Sequence, residues 1–169
     1  MSKKIEKVAV LGAGLMGAQI SGHLANAGIP SYLFDMDQDL AQKGKDSLTS
    51  LKPAPLYKPK NADLVTPCNY GEDMERIDEV DWVLEAVVER LDIKEKVYAD
   101  LLPHLKNTAI LTSNTSGIPL ADLSHSLTED VKERFMITHF FNPPRYMQLL
   151  ELVRGEHTSD DTYDTMVAF

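Results

Sequence analysis

A single cysteine, Cys68, stands in 169 residues, so no disulfide can form within the chain, and nothing around it has the spacing of a metal-ligand set. Cys68 reads as a small buried hydrophobe in a protein suited to a reducing cytoplasm, and no metal is expected. Positive charge is also scarce: 17 lysines and arginines face 26 acids, for a net charge of −9. That balance argues against nucleic acid or an anionic membrane surface as a partner and makes any phosphate contact a local matter. No apolar run is long enough for a bilayer-spanning helix. The nearest imitation of a secretory leader is Lys3, Lys4 and Lys7 ahead of the apolar run 8–18. Three glycines interrupt it, and it passes without a clean cleavage site into an amphipathic stretch through Ile20, Leu24 and Ala27.

What is present is enough apolar residue for one domain, 1–169, with a real core. The run Val8-Ala9-Val10-Leu11-Gly12-Ala13-Gly14-Leu15-Met16-Gly17 reads as a buried strand that turns through three glycines into a helix. Gly12 permits the tight turn, Gly14 lets backbone approach a pyrophosphate, and Gly17 lets helix pack closely on strand. The free N–H groups of the helix start, with Leu15 and Met16, would hold the phosphates. The next strand, Ser31 to Phe34, ends on Asp35, eighteen positions beyond Gly17. A carboxylate at that distance can accept from both hydroxyls of an adenosine ribose, whereas a 2′-phosphate would meet like charge, with no arginine at Met36 or Asp37 to offset it. The expected cofactor is NAD. The other use for Asp35 would be as cap of a helix starting near Asp37.

Strands then alternate with helices, the order of an α/β protein with a Rossmann-type doubly wound, mostly parallel sheet and helices on both faces. A helix is expected from about Gln38 to Leu51. After it comes the segment 52–60, whose prolines make it an exposed connection and whose Lys52, Lys58 and Lys60 read as solvated loop charge. Short strands follow at 64–66 and more strongly at 81–88. A helix from near Leu91 carries the core stripe Ile93, Val97, Leu101 and Leu105, widened by Tyr98 and Leu102. The strand 109–111 runs into the polar stretch Thr112 to Gly117. Ligands in open parallel sheets bind beyond the carboxyl ends of strands, which makes Asn114 and Ser116 candidates, although Ser116 fits equally well as a cap for a helix near Pro119.

On the strand 134–141, alternation puts Ile137, His139 and Phe141 on one face. On the strand 148–153 it puts Glu151 in line with Leu149 and Val153. An imidazole and a carboxylate in apolar rows are costly alone and tolerable as a pair, so a His139–Glu151 hydrogen bond is expected. Such a pair is either structural or a proton-transfer device, with the glutamate fixing the ring and the far nitrogen acting as base. His23, His104, His125 and His157 have no partner motif and are assigned surface or structural roles. Tyr32, Phe34, Phe140 and Phe141 are expected in the core.

Together Gly12-Ala13-Gly14-Leu15-Met16-Gly17, Glu85-Ala86-Val87-Val88-Glu89, Asn114-Thr115-Ser116 and His139-Phe140-Phe141-Asn142-Pro143-Pro144 through Glu151 resemble the successive signatures of the 3-hydroxyacyl-CoA dehydrogenases. The resemblance implies NAD-linked oxidation of an L-3-hydroxyacyl-CoA thioester to the 3-ketoacyl-CoA in fatty-acid β-oxidation. By position, His139 matches the general base, Glu151 its orienting carboxylate and Ser116 the serine that bonds the reacting oxygen. Ala86, Glu89, Lys94, Asn114 and Asn142 match positions lining the cofactor site. The wording from Phe141 to Met147 resembles bacterial members joined to an enoyl-CoA hydratase module. Family members usually carry a longer helical excursion in place of 52–60, so no coenzyme A contact is transferred to its lysines. Thr158, Ser159, Asp160 and Asp161 form a good helix start, yet the helix reaches Phe169 uncapped. The resemblance thus implies a further helical domain that completes the acyl pocket and the surface of a homodimer, and a fragment that binds cofactor but turns over poorly.

Other folds for the glycine turn fit less. A short-chain dehydrogenase needs a Tyr-x-x-x-Lys that is absent, and a phosphate-binding NTPase needs lysine where Ala18 stands. A 3-hydroxyisobutyrate-type dehydrogenase shares the Gly-Leu-Met-Gly turn but requires a downstream catalytic lysine and leaves His139 and Glu151 unexplained. A non-catalytic cofactor-binding protein, like the eye-lens relatives of the family, would not need Ser116, His139 and Glu151 intact.

Overall fold

The computed structural model of the chain describes residues 4–169; Lys3 of the basic lead-in lies outside the described residues. The order begins β1 (Val8–Leu11), α1 (Leu15–Asn26), β2 (Ser31–Asp35), α2 (Gln38–Ser47), β3 (Val65–Asn69), β4 (Trp82–Glu85) and α3 (Leu91–Leu101). It continues β5 (Ile110–Ser113), α4 (Leu120–Ser124), α5 (Glu129–Lys132), β6 (Phe135–Phe140), β7 (Leu150–Arg154) and α6 (Asp160–Ala168). The strands form one sheet in the order β3-β2-β1-β4-β5-β6-β7. All neighbours are parallel except β6 and β7. Strand order reverses between β1 and β4, the place where a doubly wound sheet opens a crevice for ligand.

The central strands are apolar throughout because both faces are covered. Val8 and Val10 join Ile20 and Leu24 of α1 and Met166 of α6 in one core cluster. Ala9 and Leu11 join Tyr98 and Leu101 of α3, Leu123 of α4 and Val131 of α5 in the other. Cys68 is fully buried in the second cluster, and burial pushes its thiol up to about 12, which leaves it inert at neutral pH. Among the described residues no helix is long and apolar enough to cross a membrane.

Several boundaries differ from the sequence reading, each for a local reason. The helix from Gln38 ends at Ser47, not Leu51, because the chain tightens into i→i−3 bonds from Leu48, Thr49 and Ser50. The strand from Asp81 stops at Glu85, where the chain leaves the sheet for the crevice. Thr112 and Ser113 lie inside β5 and are buried, since the Thr112 hydroxyl accepts from Trp82 Nε1 at 2.9 Å and meets Thr138 Oγ1 at 2.7 Å. Of the α3 stripe, Tyr98 and Leu101 are buried and Val97, Leu102 and Leu105 pack against the same cluster as the spacing predicts, whereas Ile93 belongs to neither core cluster and Lys94 is buried as well. Pro67 sits within β3, which a proline tolerates only because β3 is an edge.

The proline-rich segment is not the wholly exposed connection expected. Pro55 and Leu56 are buried, and a 3-10 turn over Pro59–Leu64 starts on Pro59, whose fixed φ suits a first helical position. Arg145 Nη1 donates to the carbonyls of Ala54 (2.6 Å) and Leu56 (2.7 Å), and Tyr146 donates to Ala54 O at 2.9 Å. The Arg145 guanidinium also lies over the Tyr57 ring, 4.5 Å from its centroid.

At Gly17 an added Cβ would lie 1.7 Å from the Gly12 carbonyl oxygen, a backbone atom that cannot swing aside. Gly17→Ala is expected to cost about 3 kcal/mol or more in urea unfolding, because α1 has to lift off β1.

Candidate active site

The glycine turn builds a cradle at the point where strand order reverses. Gly12 has φ +102°, and a Cβ there would meet the Ala86 carbonyl oxygen at 2.6 Å, so only glycine fits between β1 and the end of β4. The Gly12 N–H donates to Phe34 O at 2.8 Å and the Ala86 N–H to Leu11 O at 2.7 Å, which locks three strand ends together. Gly14 caps α1 without any side-chain bond, and no acid lies in the first turn. The N–H groups of Leu15, Met16 and Gly17 therefore have no partner inside the helix. Nothing lies within 4 Å of a Cβ built on Gly14, so the space over the helix start is open. A pyrophosphate fits this cradle by charge and by room.

Asp35, at the end of β2, takes the Ala13 N–H on Oδ2 and the Met36 N–H on Oδ1, both at 2.7 Å. A carboxylate offers about four acceptor positions, so one on each oxygen remains for a pair of ribose hydroxyls. Asp37, not Asp35, caps α2, through the Leu40 N–H at 2.8 Å. Met36, 79% exposed, brings no cation to balance a 2′-phosphate. The residues present fit NAD.

At the other side of the crevice, β6 and β7 put His139 directly opposite Glu151, with Nδ1 2.9 Å from Oε2. The pair forms as the sequence predicts, but the dry surroundings expected for it are absent: the Glu151 side chain is 50% exposed and that of His139 19%. β7 is an edge strand whose residues are largely exposed, so register rather than desolvation joins the pair. Phe141 lies past the end of β6 with its ring centroid 4.6 Å from that of His139, and so packs on the imidazole instead of in the core.

Asn114 ties the β5 end to the β6 end: its Oδ1 accepts from the Phe140 N–H at 2.8 Å. That bond ties the residue before the Thr115-Ser116-Gly117 turn to the residue after His139. Ser116 is exposed and does not cap α4, whose cap position is Pro119. Asn142 is also exposed and is held by Gln19 of α1, whose Nε2 donates to Oδ1 at 3.0 Å. Ala86 lines the crevice behind Gly12. Glu89 accepts from Thr115 Oγ1 (2.5 Å) and from the N–H groups of Ser116 and Gly117 (3.0 Å each). Lys94 does not line the crevice surface. It is 1% exposed, between Glu85 at 2.7 Å and Glu89 at 3.3 Å.

Sequence reasoning assigned no role to Glu85 or Gln19. Glu85 is an acid at the end of an apolar strand, the same signal that singled out Glu151, and its partners Lys94 and Tyr98 stand four apart on one helix face. Gln19 gave no signal, because its partner lies 123 residues away. A cavity of about 360 Å³ lined by Leu120, His125, Lys132 and His157 gathers none of the predicted site residues. Among the described residues no three His, Cys, Asp or Glu side chains are grouped to hold a metal.

Gly14→Ala at φ −66° is expected to leave stability within about 1 kcal/mol yet weaken NAD about tenfold, compared by thermal unfolding and calorimetric titration. For Glu89, burial pushes the carboxyl upward but is outweighed by the Thr115 hydroxyl, the Gly117 N–H, the Lys94 charge and the Ser116 N–H, which pull it down to about 2. Since 4.5 is the ordinary value, its contribution is fully present above that pH and is lost as pH falls toward about 2. Urea unfolding at neutral pH and near pH ~3 should show Glu89→Gln losing less stability than the parent, and salt should shrink the difference because the group is half exposed.

The profile of the 3-hydroxyacyl-CoA dehydrogenase NAD binding domain matches residues 7–169. A probable 3-hydroxyacyl-CoA dehydrogenase of Bacillus subtilis (strain 168) is 41% identical over 190 residues, covering 100% of this chain and 24% of its own length. One of Deinococcus radiodurans is 42% identical over 162 residues, covering 92% of this chain and 47% of its own. The crystal structure of (S)-3-hydroxybutyryl-CoA dehydrogenase PaaH1 from Ralstonia eutropha superposes with TM-score 0.85 at 29% identity, over 98% of this chain and 59% of that one. The chain thus spans between about a quarter and about three fifths of these relatives. With its cradle, its Asp35 and its His139–Glu151 pair in the matched region, the chain belongs to the family of 3-hydroxyacyl-CoA dehydrogenase NAD-binding domains.

Proposed function

We propose that this chain is the cofactor-binding and proton-handling part of an enzyme that oxidises an L-3-hydroxyacyl-CoA thioester to the 3-ketoacyl-CoA, the chemistry of fatty-acid β-oxidation. The observation that carries this reading is the His139–Glu151 contact of 2.9 Å beside the glycine cradle. The Glu151 carboxylate accepts a hydrogen bond from the Nδ1–H of His139, which leaves Nε2 as the lone-pair nitrogen. Nε2 takes the proton of the substrate 3-hydroxyl, and Glu151 stabilises the imidazolium that results. The Ser116 hydroxyl, on the turn that Asn114 holds beside β6, donates to the same oxygen and steadies its charge. When bound, NAD supplies the acceptor for the hydride that leaves the carbinol carbon. Asp35 holds the adenosine ribose, the start of α1 the pyrophosphate, and Ala86, Asn114 and Asn142 border the remainder of the site.

The acyl pocket and the surface of a homodimer belong, in this reading, to sequence outside these 169 residues. Two observations support that division. The chain spans only part of the length of its relatives, and Leu149, Leu150 and Val153 on the outer edge of the sheet are 38–56% exposed beside Glu151. The buried Cys68 suits a reducing cytoplasm.

The test follows NADH absorbance with (S)-3-hydroxybutyryl-CoA, for this chain and for the longest reading frame that contains it. Both should bind NAD, with substantial turnover only by the longer protein. In that protein His139→Asn should lower kcat by roughly 10²- to 10⁴-fold with NAD affinity unchanged. A longer protein that binds NAD and never reduces it would overturn the reading.

A further inference from the structure

We propose that Gln19 is a positioning residue for the cofactor: its side chain turns Asn142 so that Asn142 presents N–H donors, and not its carbonyl oxygen, to the nicotinamide half of NAD. The inference rests on the function proposed above, which puts the hydride acceptor beside His139. Asn142 borders the cofactor by resemblance, and Gln19 reaches it from a different element.

Gln19 lies four residues after Leu15 and so shares its face of α1, one turn along from the helix start. It is only 5% exposed, and its Nε2 donates to Asn142 Oδ1 at 3.0 Å. A side-chain amide so nearly buried is costly unless it is bonded, and Asn142 supplies the bond. With Oδ1 engaged, the other end of the Asn142 amide is Nδ2, which has no partner among the described residues although Asn142 is exposed. An asparagine held in this sense offers two N–H groups to whatever lies over it.

The main chain around Asn142 is held without Gln19. Upstream, the Phe140 N–H is fixed on Asn114 Oδ1. Downstream, Pro143 O accepts the N–H groups of Tyr146 and Met147 at 3.0 Å each, and Arg145 and Tyr146 hold the carbonyls of the proline-rich segment. That segment is itself tied to the last residue of α1: Asn26 Nδ2 donates to Pro55 O at 2.9 Å, and Asn26 Oδ1 accepts the Tyr57 N–H at 2.8 Å. The loop therefore keeps its place on α1 whatever stands at position 19, and what Gln19 adds is the sense of the Asn142 amide. Asn142 is three residues beyond His139, whose Nε2 serves the carbon that gives its hydride to the nicotinamide. That half of the cofactor carries oxygen acceptors in its ribose hydroxyls and its carboxamide. The Asn142 N–H groups meet these oxygens, whereas a carbonyl oxygen turned the same way would face the carboxamide oxygen as like to like.

The test uses two substitutions in the longest protein that contains this chain. Gln19→Met keeps the volume and removes the donor. In Gln19→Glu the carboxylate can only accept, so Asn142 has to turn over and donate Nδ2 to it, leaving Oδ1 toward the cofactor. Affinities for NAD and for ADP are measured by calorimetric titration; ADP has the adenosine and two phosphates and lacks the nicotinamide half, so the ratio of the two affinities reports on that half. The ratio should fall about threefold in Gln19→Met and about tenfold or more in Gln19→Glu. On an Asn142→Ala background the loss should vanish for methionine and shrink at least about threefold for glutamate, which a merely structural role would not produce. An unchanged ratio in either variant, a glutamate variant that keeps the ratio as well as the methionine one, or the same losses without Asn142 would each overturn the proposal. Should Gln19→Glu fail to fold, Gln19→Met with its Asn142→Ala partner is held to the same criteria. A parent protein that binds NAD without turnover strikes the proposed activity alone, because the titrations need none.

Discussion

Between β1 and β4 the sheet changes direction of growth, and the two strand ends can lie side by side there only because Gly12 has no side chain to meet the Ala86 carbonyl. The whole site depends on that approach. It aims the start of α1 into the crevice, sends the chain after Glu85 away from the sheet toward Glu89, and brings the ends of β5 and β6 into reach of the same space. A methyl group at that point would separate the phosphate cradle from the proton-handling side chains, although neither set of groups would be changed.

An acidic protein that holds an anionic cofactor has an electrostatic problem, and this one solves it with main chain. Around the crevice the carboxylates are engaged by N–H groups: Asp35 by Ala13 and Met36, Glu85 by Val87, Glu89 by Ser116 and Gly117. Each ties the loop after one strand into a fixed shape. The negative charge of the site is thereby spent on its own backbone, and the phosphates face only the uncapped helix start.

The architecture was legible because its signals are local. Strand, three glycines, helix and a terminal aspartate occupy a short run of chain, and buried parallel strands read as unbroken apolar stretches. His139 and Glu151 were legible for a sound reason with a wrong premise: the register of β6 on β7 joins them, not a shared dry environment, since β7 is an edge. The burial of Lys94 between Glu85 and Glu89 left no mark in the apolar stripe of α3, because a lysine does not count in it. Gln19 was invisible because its bond to Asn142 closes a long loop and leaves no periodic trace. The polar end of β5 was split wrongly because Thr112 and Ser113 look like a loop until Trp82 Nε1 and Glu85 supply partners from other strands.

Arg145 grips the proline-rich segment through the carbonyl oxygens of Ala54 and Leu56 and over the ring of Tyr57. Main-chain carbonyls are the same whatever side chain follows, so that part of the grip reads shape and ignores spelling, while the Tyr57 ring is read as a side chain. Mutational tolerance along this strap is accordingly lopsided: Lys52, Lys58 and Lys60 are free to drift, while the burden of keeping the 142–147 loop seated falls on the Arg145 guanidinium, the Tyr146 hydroxyl, the Tyr57 ring and buried Leu56.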